Sequence, residues 1–106
     1  MRNTIIFFTL LFSSLSCQAI DVYEYNQLLK NRTCPQCDLS GAPLTMVNLS
    51  HADLTGADLT EANLMYADLT GAKMQGAIML KANMRGAKLD PQARKMAIEQ
   101  HAILDK

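Results

Sequence analysis

The chain has 106 residues, ten basic and ten acidic, which bounds it to one small, neutral domain. The balanced charge gives no ground for nucleic acid or an anionic membrane surface as partner. Three Tyr, three Phe and no Trp argue against a conventional core of large side chains.

Residues 1–19 read as a secretory signal peptide. Arg2 supplies the positive start, Ile5 to Phe12 the apolar run, and Ser13 to Ala19 a small, polar end. Cys17 and Ala19 fit the −3 and −1 positions of a cut after Ala19. As a membrane span the run is too short, since a spanning helix needs about 20 apolar residues. A retained hydrophobic anchor is the bland alternative. A lipoprotein reading of Cys17 competes too, but Leu15 stands one place too close to the cysteine for a good lipobox.

Residues 20–36 read as a short helix and a link. Asp21 can cap the helix, Glu24 follows at capping-box spacing, and Val22, Tyr25, Leu28 and Leu29 share one face. The link carries Cys34-Pro35-Gln36-Cys37. With Cys17 removed in an oxidising compartment, Cys34 and Cys37 are the remaining pair, and a structural disulfide is the default. A thioredoxin-like redox pair is the other reading, although no strand-helix-strand pattern surrounds it. Zinc is weaker, because two thiols without a second pair do not complete four ligands.

From residue 37 to residue 91 the chain divides into eleven five-residue units: CDLSG, APLTM, VNLSH, ADLTG, ADLTE, ANLMY, ADLTG, AKMQG, AIMLK, ANMRG and AKLDP. The third place is always Leu or Met: Leu39, Leu44, Leu49, Leu54, Leu59, Leu64, Leu69, Met74, Met79, Met84 and Leu89. Internal repetition of this kind outranks local propensity. On an α-helix a step of five turns about 500°, so the Leu column would drift by roughly 140° per unit. On an unbroken strand an odd step flips each Leu to the opposite face. One turn per unit resolves both problems. The first and third residues then point inward, the second and fourth outward, and the fifth stands at a corner, where Gly41, Gly56, Gly71, Gly76 and Gly86 fall.

The A-[DN]-L-[ST]-G consensus resembles the pentapeptide-repeat family, and the resemblance covers about half the chain without a gap. It implies an all-β solenoid: a right-handed quadrilateral β-helix with four units per coil, here just under three coils, between short N- and C-terminal capping helices. It also implies that residues twenty apart stack. Asp53 would then neighbour Lys73, Asp68 Lys88 and Glu61 Lys81, with Asn63 and Asn83 as a short amide ladder.

After the repeat, Asp90 and Pro91 form a helix start. Ala93, Met96, Ala97, Ile103 and Leu104 recur on one face, so a second helix is expected over residues 91–104 within the C-terminal segment 92–106. His101 lies off that stripe and reads as a surface residue.

The residues point to a non-enzymatic protein. No nucleophile–base pair, phosphate-cradling loop or metal cluster is visible, and no cofactor or small-molecule substrate is implied. The expected role is an exported binding or scaffold module acting through its faces, with an unknown protein partner or with itself. The periplasm is the expected compartment, a thylakoid lumen or the exterior being the others; membrane attachment would come only from a lipid on Cys17. The expected interaction patch gathers Ile78 and Leu80, in the outward places of one unit, with Met65, Tyr66 and Met46, outward on the neighbouring face. The alternatives are a periplasmic thiol–disulfide protein using Cys34 and Cys37 and a DNA-mimicking topoisomerase inhibitor. The second resembles a long acidic rod, which this neutral chain is not.

Overall fold

The inward column is the reason the chain folds as it does. Leu39, Leu44, Leu49, Leu54, Leu59, Leu64, Leu69 and Met79 are wholly buried, with Met74 and Met84 nearly so and Leu89 half-buried at the end of the stack. Each buried Leu contributes about 2 kcal/mol of transfer free energy. The first-place alanines, Ala42, Ala52, Ala57, Ala62, Ala67, Ala77 and Ala82, fill the space between them and are equally buried.

The computed structural model describes residues 22–105. The expected signal peptide, Cys17 and Asp21 lie outside them. Parallel bridges join residues twenty apart: Thr33–Asp53–Lys73, Asp38–Asp58–Ile78, Pro43–Asn63–Asn83–Ile103 and Asn48–Asp68–Lys88. We call these four ladders the first to fourth faces. The bonding repeats without change. The Leu39 N–H donates to the Asp58 carbonyl at 2.8 Å, and the Asp58 N–H donates to the Cys37 carbonyl at 2.8 Å. Within a unit the chain turns by a bond such as Ala42 N–H to Leu39 O, 3.0 Å.

Fifth-place residues hold the left-handed conformation whether or not they are glycine. Gln36, Met46, His51, Glu61, Tyr66, Lys81 and His101 all have φ near +60°. A Cβ there is unfavourable by about 1–2 kcal/mol, so the coil imposes the corner on the residue.

Local turns come from the second place. The Asp53 side chain accepts the Thr55 N–H at 3.1 Å, Asp58 the Thr60 N–H at 3.0 Å and Asn63 the Met65 N–H at 3.2 Å. The same bond recurs at Asp38, Asn48, Asp68 and Asn83. This is why the consensus asks for Asp or Asn.

The structure departs from the expectations at both ends. The ladder begins one unit earlier, at residues 32–36, with Cys34 in the Leu place and buried. Helix α1, Val22–Asn31, precedes it. Leu28 is buried and Tyr25 partly so, but Val22 and Leu29 are exposed, so the apolar face is narrower than its spacing suggests. Helix α2 is Pro91–Glu99 and stops short of residue 104. Ile103 instead bridges Asn83, because the chain returns to the coil with Ala102 and Leu104 in inward phase. Asp90 holds the N-cap position of α2 without a side-chain cap bond. Its carboxylate accepts the Gly71 N–H at 2.9 Å.

Candidate functional site

Side chains stand in for missing backbone at the coil ends. At the start, the Glu24 carboxylate accepts the Asp38 N–H at 2.6 Å, and the Tyr25 hydroxyl donates to the Pro43 carbonyl at 2.7 Å. Pro43 has no N–H to satisfy on that first rung. At the finish, α2 displaces the strand that would follow Ile78, and the Gln100 carboxamide replaces it. Its Oε1 accepts the Met79 N–H at 2.6 Å while its Nε2 donates to the Ala77 carbonyl at 2.9 Å. The Asp105 carboxylate takes the Gly86 N–H at 2.6 Å. Such pairing covers edges that would otherwise template aggregation.

The cysteines form a disulfide, Cys34–Cys37, with Cα atoms 5.4 Å apart. They occupy the third place of one unit and the first place of the next. Elsewhere that pair is Leu or Met followed by Ala, as in Leu39 and Ala42, or by Val47 after Leu44. C-x-x-C is therefore L-x-x-A rewritten as a covalent corner. Both residues are buried, Cys34 at 1% and Cys37 at 7% exposure.

The register sorts the expected patch onto different parts of the coil. Ile78 begins the third rung of the second face, and Leu80 lies at that face's border with the third. Met65 belongs to the third face, and Met46 and Tyr66 stand on its other border, the corner with the fourth face. Leu80, Met65, Tyr66 and Met46 thus surround the third face, while Ile78 is separated from it. Ile103, exposed on the fourth rung, joins the group and was not singled out in the sequence, where it read as part of a helix.

The third face differs electrically from the others. Its ladder column is Pro43, Asn63, Asn83 and Ile103, without a charge, whereas Asp53, Asp58 and Asp68 stand in the other three columns. Successive turns also differ in charge. Residues 52–71 carry Asp53, Asp58, Glu61 and Asp68 and no basic residue; residues 72–91 carry Lys73, Lys81, Arg85 and Lys88 against Asp90. Hydrogen bonds from the Thr55 hydroxyl and N–H hold the Asp53 carboxyl below 3.8, burial opposing and Lys73 assisting. The Thr70 hydroxyl and N–H do the same for Asp68, with smaller help from Lys88 and His51. The local turn thus governs these carboxylates more than the neighbouring lysines do.

Among the described residues, the other candidate features are small. A cavity of about 60 Å³ between α2 and the end of the first face, lined by Ala72, Met74 and Met96 among others, is far below the several hundred Å³ of a ligand pocket. Among the described residues, no group of three His, Cys, Asp or Glu could hold a metal ion.

Comparison with known proteins places this geometry. The family model described as pentapeptide repeats matches in eight copies, over residues 29–64, 44–79 and 56–90. That match implies a right-handed β-helix. Among solved structures, the pentapeptide repeat protein alr5209 from Nostoc Pcc 7120 is similar at 21% identity, covering 83% of this chain and 98% of that one, with a TM-score of 0.30. No curated protein matches.

Proposed function

The chain belongs to the pentapeptide-repeat family, and we propose on that footing that it is an exported, non-enzymatic binding or scaffold module working through the third face of its coil. In this reading the coil is a quadrilateral β-helix, and α1 and α2 are its end caps. The observation that carries the proposal is the contrast between faces. One ladder is uncharged and ringed by Met46, Met65, Tyr66, Leu80 and Ile103, while the others bear aspartates. Apolar side chains gathered on a flat surface mark contact sites.

Export is supported by the leader-like residues 1–19 and by a disulfide built into the core. Burial of both sulfurs favours a clamp over thiol exchange, which needs an accessible thiolate. An acidic turn followed by a basic one is unlike a continuous acidic rod.

The test is partner retention by the tagged protein in its own extracytoplasmic extract. Tyr66→Asp with Leu80→Asp, one on each border of the third face, is compared with Thr70→Asp on the fourth. The proposal expects retention to be lost in the first and kept in the second. Equal retention by both variants would overturn it.

A further inference from the structure

Among the described residues, the third face is the one that continues through four rungs, Pro43, Asn63, Asn83 and Ile103. Along one border the corner residues are Glu61 on the second rung and Lys81 on the third; along the other, Tyr66 stands on the second and Arg85 beside Gly86 on the third. An isologous contact requires a surface that complements itself under a two-fold axis. A two-fold perpendicular to the coil axis, passing between the second and third rungs, meets that requirement. It sets Glu61 opposite Lys81 of the second copy and Lys81 opposite its Glu61. It also brings Tyr66 to Arg85 of the second copy, a cation over an aromatic ring. Asn63 meets Asn83, and Pro43 meets Ile103. Each amide oxygen already takes one local N–H, from Met65 and from Arg85, which leaves the side-chain N–H groups for the opposing amide. A two-fold parallel to the axis would instead press Lys81 towards Arg85.

We propose that the third face pairs with the third face of a second copy of this chain, antiparallel and centred between Asn63 and Asn83. This rests on the reading of that face as the contact surface and names its occupant. Four rungs at about 4.8 Å make a short strip, smaller than the footprint of a tight complex. The pairing is therefore reversible, and salt weakens it through the two Glu61–Lys81 contacts.

The experiment is sedimentation velocity on the purified oxidised protein from about 5 to 500 µM, the range in which so small an interface dissociates. The wild type is expected to shift from monomer to dimer with concentration. Glu61→Lys and Lys81→Glu are each expected to stay monomeric, with circular dichroism confirming the fold. Mixed in equal amounts they are expected to form a heterodimer, because each charge then meets its opposite. Tyr66→Ala is expected to weaken the wild-type dimer at least tenfold. A wild type that is monomeric throughout overturns the proposal, as does a dimer indifferent to these substitutions or a mixture that fails to pair. A monomer that still holds a different protein, and loses it in the Tyr66→Asp, Leu80→Asp variant, overturns the dimer alone and leaves the binding-module reading standing.

Discussion

The imidazole of His51 occupies the space above Gly71: a Cβ on that glycine would stand 2.5 Å from His51 Nδ1. The two are corner residues twenty apart on successive turns. Tyr66 covers Gly86 in the same way, and the Gln36 side chain lies over Gly56. At these three corners the side chain on one turn fills the space where the next turn's corner residue has no Cβ. Gly41 has φ +69° but nothing within 4 Å of its would-be Cβ. Gly41→Ala should therefore carry only the left-handed penalty, about 1 kcal/mol. Gly71→Ala should lose about 1 kcal/mol more, because the exposed ring must swing away. The measurement is a double-mutant cycle by urea unfolding: in a His51→Ala background the two glycine substitutions should become equal.

Gln100 offers a second prediction. Its carboxamide serves both the Met79 N–H and the Ala77 carbonyl, acting as a peptide group. Gln100→Leu should destabilise by about 1–3 kcal/mol, since both backbone groups lose their partner. Gln100→Glu should keep the acceptor and lose the donor. Thermal melts of the two variants should rank Glu below wild type at neutral pH and closer to it in acid, where the carboxyl regains a donor proton.

The disulfide can be replaced by what it replaced. Cys34→Leu with Cys37→Ala restores the ordinary corner pair of the repeat and removes the cross-link. Losing so short a loop should remove about 2 kcal/mol, partly offset by the buried Leu. Cys34→Ala with Cys37→Ala should lose more, through the cavity it leaves. Melting with and without reductant should show sensitivity in the wild type alone.

The fold was more legible than its ends. Period five, the unbroken Leu/Met column and the corner glycines lead to a coil because no single helix or strand keeps an odd five-step on one face. The unit at residues 32–36 was hidden because Arg32 and Cys34 fill the Ala and Leu places. Residues 102–105 were hidden by coincidence of period: Ile103 and Leu104 continue a helical stripe from Ala93 and Ala97. Yet Ala102 and Leu104 are also in phase with the repeat, after a helix that takes the place of two units. The candidate surface was half legible. The outward apolar residues and the neighbouring face that holds Met46, Met65 and Tyr66 can be read from the repeat, but Ile103's place on that face depends on the chain's return after α2.

Acid should loosen the coil in a defined direction. The folded carboxyls of Asp53 and Asp68 lie below 3.8, their ordinary value. Groups depressed on folding contribute stability that is fully present above the unfolded value and lost as pH falls through the folded one. Unfolding free energy should therefore decline as pH drops below about 4. Asp53→Asn with Asp68→Asn keeps the turn acceptors and removes the titration. Urea titrations between pH 6 and pH 2.5 should give a flatter profile for that variant.

If the third face does the binding, contact should be confined to it. A photo-crosslinking residue placed in turn at Gln75, Ser40, Asn83 and Thr70 samples the first, second, third and fourth faces in the producing cell. The account predicts a crosslinked product from position 83, whether to another protein or to a second copy, and none from positions 75, 40 and 70. Crosslinks from those three positions with none from 83 would contradict it.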